Sequence, residues 1–229
     1  MEEVRNMCGR FTLTVDLQDV VDYFQLQFIP DHFSPSFNIA PSQLVLTAIA
    51  HNGERRAGYL KWGLVPYWVK QPKQWKPLIN ARSESLTDKS SFKHLVEKHR
   101  CVIFADSFYE WKVENGKKTP YRIMKDDGKP FAFAALWDRN QEGDTELITC
   151  VILTTSANEK VRNIHERMPV MLDNEEAWET WLNTKEYPYA KAKELLKPYP
   201  MENQKLYVVS SLVNSPKNNG EECIRPLFS

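Results

Sequence analysis

Apolar positions recur at two spacings along this chain, and the shorter spacing dominates. Runs rich in β-branched and aromatic side chains predict strands at Phe11–Thr14, Leu44–Ala50, Gly58–Trp62, Cys101–Phe104, Phe131–Leu136, Leu147–Leu153 and Leu206–Ser210. Tyr109–Met124 reads as a hairpin turning at Glu114-Asn115-Gly116-Lys117, because an Asn-Gly pair accepts positive φ. Helical spacing is rarer. Asp16–Phe24 sets Val20, Val21 and Phe24 on one face, and Ser90–Lys98 opens on serine caps. Asn174–Trp181 opens on an Asn cap followed by two glutamates, with Ala190–Leu196 a shorter candidate. Proline-rich stretches (Pro30–Pro41, Pro66–Pro77, Pro188–Pro200) break the pattern as loops rather than as domain linkers. Strands and helices mix without a βαβ rhythm. The expected fold class is therefore α+β, a single domain built on a curved, mainly antiparallel sheet or barrel with a few flanking helices.

At 229 residues and 42% apolar content the chain can enclose one sizeable core. No apolar run approaches the ~20 residues of a membrane span, and no signal peptide is visible, so no membrane partner is expected. Cys8, Cys101, Cys150 and Cys223 stand far apart with no CxxC pair. That spacing argues against structural zinc and disulfides; we expect no metal or cofactor, and a reducing cytoplasm. Thirty basic and thirty acidic residues cancel. A polyanion must then be met by a local patch, since the global field offers no attraction.

Chemistry concentrates in four segments. In Met7-Cys8-Gly9-Arg10-Phe11-Thr12 the cysteine follows a methionine that aminopeptidase would remove before so small a residue. A terminal cysteine carries amine and thiol on one residue. Its amine condenses with an aldehyde, and its thiolate then closes a thiazolidine on the imine carbon. Residues 1–6 stand before this start. Glu2-Glu3-Val4-Arg5 can be encoded by a purine-rich run resembling a ribosome-binding site, so we expect 1–6 to be an over-extended start or a removable leader and 7–229 the domain. Otherwise Cys8 is an inert buried thiol. In Leu78-Ile79-Asn80-Ala81-Arg82-Ser83-Glu84, polar groups alternate with apolar ones, which alone reads as a strand with one solvated face. In Phe104-Ala105-Asp106-Ser107-Phe108-Tyr109-Glu110-Trp111-Lys112, Glu110 is either an exposed strand carboxylate or one tuned upward by its aromatic neighbours for proton transfer. In Asn163-Ile164-His165-Glu166-Arg167-Met168-Pro169, His165 is a surface histidine or a proton shuttle.

These segments, with Phe37-Asn38-Ile39-Ala40-Pro41, Trp62-Gly63-Leu64-Val65-Pro66 and Ser210-Ser211-Leu212-Val213-Asn214, occur in an order that closely resembles the SRAP family, the SOS-response-associated proteins that protect abasic DNA. The resemblance runs from Met7 essentially to the C-terminus. It implies that the terminal cysteine, Cys8, traps the ring-opened aldehyde of an abasic site in single-stranded DNA as a thiazolidine crosslink, shielding the lesion and later releasing it. On this pattern Asn80 hydrogen-bonds near the cysteine, Glu110 handles the amine proton, and His165 assists ring opening and reversal. Arg10, Arg82 and Arg167 would hold phosphates, Trp68 and Trp111 would stack on bases unless they are core residues, and Thr154 would line the site. Val69 departs from the pattern, since some members carry a second tryptophan there. The implied protein is a bacterial cytoplasmic monomer that joins the nucleoid when acting. Two rivals use the same residues: a thiol peptidase able to remove residues 1–6 itself, as the family's peptidase label suggests, and a non-covalent single-strand binding module.

Overall fold

The computed structural model describes residues 9–228. The first seven strands are β1 (Phe11–Leu13), β2 (Ser36–Ile39), β3 (Leu44–His51), β4 (Glu54–Trp62), β5 (Asn80–Arg82), β6 (Arg100–Ala105) and β7 (Ser107–Glu114). They are followed by β8 (Lys117–Lys125), β9 (Phe131–Glu142), β10 (Thr145–Ser156), β11 (Arg167–Pro169), β12 (Met171–Leu172) and β13 (Gln204–Val208). Helices are short: α1 (Leu17–Phe24), α2 (Leu95–Lys98), α3 (Glu159–Arg162), α4 (Glu175–Leu182) and α5 (Tyr189–Ala192). The fold is α+β, as its sequence pattern predicts.

Two sheets form. In the larger, β10, β4, β3, β6 and β9 pair in turn and β9 pairs back to β10, closing a five-stranded barrel. Among the described strands of the larger sheet, only the pairings of β10 with β4 and with β5 are parallel. The smaller sheet runs β13-β8-β7-β1-β2 and is antiparallel throughout. Phe11 and Phe108 join the two sheets. Phe11 meets Trp62 edge-on at 5.2 Å and Phe133 at 5.5 Å, and Phe108 lies 6.3 Å from Phe133. Every residue of 131–136 is fully buried, so this stretch of β9 is covered on both faces. That explains its unbroken apolar run, where a half-solvated strand would alternate. On the outer side α4 sends Trp181 against the barrel, its indole donating to the Cys101 carbonyl at 2.9 Å.

Each of the seven expected strand runs lies in a strand, with ends displaced by a few residues. The hairpin turns where expected, with φ of 49° at Asn115 and 76° at Gly116. Asn174 caps α4 through the Ala177 N–H at 2.9 Å. The helix expected over Ser90–Lys98 shrinks to α2. No side chain caps it, and the preceding residues wind as tight turns instead. Short strands β2, β11 and β12 were not anticipated.

A buried polar cluster fixes β1 in its sheet. Asp106 accepts from the Thr12 hydroxyl and from the Thr14 N–H and hydroxyl, while Thr12 also shares a hydrogen bond with Ser107. Arg122 closes the cluster, donating through Nε to Ser107 Oγ at 2.7 Å and lying 3.7 Å from Asp106.

Candidate functional site

Strand β1 points the start of the described chain along β7. Phe11 pairs with Phe108 and Thr12 with Ser107, and the Tyr109 N–H donates to the Arg10 carbonyl at 2.9 Å. Continuing this register sets Gly9 level with Glu110. Cys8 and residues 1–6 lie outside the described residues.

Alternation along β7 sorts its side chains. Tyr109 and Trp111 face the C-terminal segment, packing with Val209 and Val213, whereas Phe108 and Glu110 share the opposite, barrel-facing side. Glu110 is 2% exposed there, so the exposed-strand alternative does not hold. Trp111 is half-buried. Its Nε1 donates to Asn214 Oδ1 at 2.7 Å, and the Arg10 guanidinium lies 5.9 Å from its ring centre. Arg10 Nη1 also donates to Asn38 Oδ1 (2.9 Å) and the Val213 carbonyl (2.6 Å). Partial burial lowers the Arg10 pKa from its ordinary value, which leaves it charged at neutral pH.

The remaining candidates gather on the barrel at the end of β10. In parallel register Ile152 pairs with Asn80 and Thr154 with Arg82; in antiparallel register Thr154 pairs with Pro169 and Ser156 with Arg167. Arg82 is exposed. Arg167 is held in place: it grips Glu84 bidentately at 2.6 and 2.8 Å and donates to the Thr154 carbonyl at 2.7 Å. The pairing with Arg167 holds the Glu84 carboxyl below its usual range. Thr154 is fully buried, its hydroxyl 3.4 Å from both the Ala81 carbonyl and Arg167 Nη2. It acts from behind Arg167 rather than lining open space. His165, in the turn after α3, sets Nδ1 between the N–H and the carbonyl of Arg167, at 3.1 and 3.2 Å. A neutral ring accepts from the N–H and carries its proton on Nε2; a protonated Nδ1 donates to the carbonyl. Both states find a partner without movement of the backbone.

The two groups meet through a short relay. Phe11 of β1 touches Trp62, whose indole donates to the Ile79 carbonyl at 2.9 Å, one residue before Asn80. Trp68 rides a loop from the same place, pinned at its base by reciprocal Leu64–Leu78 hydrogen bonds of 2.9 and 3.1 Å. It is 41% exposed and so is not a core residue. Val69, beside it, is buried.

Cys101, Cys150 and Cys223 are buried, and burial raises each thiol pKa. They are protonated and poorly nucleophilic at neutral pH. Among the described residues no group of three or more His, Cys, Asp or Glu could hold a metal ion, and no helix is long and apolar enough to cross a membrane.

Sequence reasoning did not single out the residues that hold this site together. Buried Asn38 ties Arg10 to the carbonyls of Val213, Ser215 and Asn218. Asp138 and Asn140 anchor the Trp68 loop. Asn38 and Asn214 both sit in motifs that carried the resemblance, and a polar amide inside an apolar run was the available signal. For Asp138 and Asn140 the sequence offered none.

Known proteins are similar to this chain in sequence and in fold. The Abasic site processing protein YoqW of Bacillus subtilis (strain 168) is 46% identical over 222 residues, spanning 95% of this chain and 99% of its own. The Abasic site processing protein HMCES of Gallus gallus is 35% identical over 227 residues, covering 85% of this chain and 67% of its own. A crystal structure of a Bacteroides thetaiotaomicron protein superposes with a TM-score of 0.81 at 24% identity, over 96% of this chain and all of that one, and supports the fold. The family model described as SOS response associated peptidase (SRAP) matches residues 7–216, and the chain belongs to that family.

Proposed function

We propose that this protein captures abasic sites in single-stranded DNA by closing a thiazolidine on Cys8, once Cys8 is the first residue of the mature chain. The observation that carries the reading is Glu110. A carboxylate 2% exposed on the barrel-facing side of β7, level with the residue after Cys8, is where a terminal amine would need a proton acceptor. The names of the relatives supply the lesion: both are called abasic site processing proteins.

The atoms balance simply. The Cys8 amine adds to the C1′ aldehyde of the ring-opened sugar, and water leaves as the imine forms. The thiolate then adds to the imine carbon while the nitrogen takes up a proton. A terminal amine in water titrates at about 7.7–8.0, so a carboxylate such as Glu110 need remove only a weakly held proton, and the same group in acid form assists loss of water. Asn80 orients the reacting residue by hydrogen bonding. His165 moves the proton between ring oxygen and solvent during opening and reversal, a role suited to an imidazole with partners in both protonation states. Arg10, Arg82 and Arg167 take phosphates, and Trp68 and Trp111 stack on bases without reading them. Such binding locates damage by its sugar rather than by its sequence.

The test is a denaturing gel of single-stranded DNA carrying one abasic site, mixed with protein beginning at Cys8 or with residues retained before it. A heat-stable shifted band is expected only from the first, and Glu110→Ala should slow its appearance. No band, with tight non-covalent binding, would leave a binding module. Loss of residues 1–6 from the longer protein, abolished by Cys8→Ala, would instead favour the peptidase.

A further inference from the structure

We propose that Tyr67, on the loop between Pro66 and Pro77 that carries Trp68, is a further stacking platform, a track for nucleotides flanking the lesion. The proposal rests on the single-stranded DNA reading above and extends it along the strand.

Tyr67 is 60% exposed, more than Trp68. Neither ring hangs free. Tyr67 packs edge-on against His94 at 4.8 Å, and Trp68 against Trp75 at 5.3 Å. Because different partners back them, the two rings offer separate faces. The backbone beneath is fastened by three buried side chains from the barrel. Thr149 Oγ1 accepts from the Val65 N–H (2.9 Å) and Asp138 Oδ2 from the Tyr67 N–H (2.9 Å). Asn140 Nδ2 donates to the carbonyls of Pro66 (2.6 Å) and Val69 (3.0 Å). His94 in turn lies 3.4 Å from Asp138, so the platform and its support share one anchor. Large apolar rings kept in water on a rigid base are a preorganised binding surface, since little order remains to be imposed when a partner arrives.

Charge identifies the partner. From residue 62 to residue 81 the chain carries Lys70, Lys73 and Lys76 and no Asp or Glu, within a protein of zero net charge. Lys70 and Lys76 stand exposed on the loop itself. Exposed planar rings interleaved with lysines, over an Asp138 that is itself buried, suit a polyanion bearing flat bases, which is single-stranded nucleic acid. The base of the loop, Leu78, is two residues from Asn80. The loop is therefore anchored beside the segment that carries Asn80.

The experiment measures binding of the full protein to undamaged oligothymidylate of about 15 and about 4 nucleotides by fluorescence anisotropy. Wild type should prefer the longer strand. Tyr67→Ala should weaken that longer complex about fivefold or more and erase the preference, while Tyr67→Phe, which keeps the ring, should retain it. Lys70→Ala combined with Lys76→Ala should lower the slope of log affinity against log salt by about 1.4. The proposal is overturned if Tyr67→Ala binds the longer strand as tightly as wild type, or if Tyr67→Phe loses as much as Tyr67→Ala. A wild-type protein that neither binds these strands nor crosslinks an abasic one would overturn the underlying function. A wild type that crosslinks normally while Tyr67→Ala changes nothing removes the track alone.

Discussion

Replacing Asn38 by alanine should unfasten the C-terminal segment and Arg10 together. Asn38 is 1% exposed, and its Nδ2 donates to the carbonyls of Val213 (3.2 Å), Ser215 (3.0 Å) and Asn218 (2.7 Å) while Oδ1 accepts from Arg10. Nδ2 has two protons for three acceptors, so about two neutral bonds and one charge-assisted bond are at stake. At ~1 kcal/mol for each neutral bond and ~1.5–3 for the charged one, the loss is about 3–5 kcal/mol, less whatever water recovers by entering the gap. For a domain of this size that corresponds to a fall in Tm of about 6–20 °C. Urea unfolding at fixed protein concentration reads the free energy, and anisotropy on an undamaged strand reads the freed Arg10. Asn38→Asp adds a discriminating arm. Its carboxylate keeps the Arg10 contact but turns negative oxygen toward three carbonyls, so its stability should improve on acidification as the protonated form regains a donor. A loss under about 1 kcal/mol in Asn38→Ala would mean that the segment is held by packing, and would refute the assignment of these hydrogen bonds as its fastening.

Three further outcomes follow from the site. Glu84→Gln removes the carboxylate that occupies Arg167, and should tighten binding to undamaged single strands about two- to fivefold at low salt while costing under ~1 kcal/mol of stability, because Glu84 is largely exposed. Weaker binding would show that Glu84 aims Arg167 rather than masking it. Burial lowers the pKa of His99, against opposing help from Asp138 and the Trp137 backbone and with added repulsion from His94 and Arg139. The unfolded chain therefore takes up this proton first, and stability should fall as pH drops below about 6.5. His99→Gln should flatten that part of a Tm-against-pH curve; an unchanged slope would exclude His99 as its source. Gly63 sits at φ of +132°, and an added Cβ would lie 2.8 Å from the Pro77 Cβ. Gly63→Ala should cost about 1–3 kcal/mol and displace the aromatic loop, lowering single-strand affinity as well as Tm, and a variant with wild-type values of both would contradict this geometry.

The barrel was legible because its strands are long or doubly buried: apolar runs such as Phe131–Leu136 need no partner to be recognised. Strands β2, β11 and β12 are too short to show a period, and their pairing is decided by distant neighbours such as Phe11 and Phe133. Closure of the barrel through the parallel pairing of β10 with β4 and the return pairing of β9 to β10 leaves no local trace either. At the site, Glu110 was readable from its aromatic flanks, although only the two-sheet packing decides that it faces inward. Thr154 and Arg167 could be named but not their relation, since the Glu84 pairing spans 83 residues. Asp138 and Asn140 follow a tryptophan on a strand and look like its solvated end. They are buried because the Pro66–Val69 backbone lies over them and needs their hydrogen bonds.

A terminal nucleophile demands something unusual of a fold, since chain ends ordinarily fray. Here β1 is not an edge strand but lies between β7 and β2, so the backbone entering it is paired on both sides. Asp106 fixes Thr12 and Thr14 from below, and Arg10 is bound to Asn38 and to the Val213 carbonyl above. Arg10 and Val213 are 203 residues apart, so the early strand is braced by a segment made long after it. It follows that the start of the domain acquires its final geometry only when the segment around Val213 has docked. Chemistry placed on the first residue would then wait for the whole fold, and a chain lacking this segment should keep its barrel while losing the orientation of β1. The same logic accounts for the polar character of the fastening. Apolar packing alone would let β1 slide in register, whereas the fixed donors and acceptors of Asp106 and Asn38 admit a single alignment.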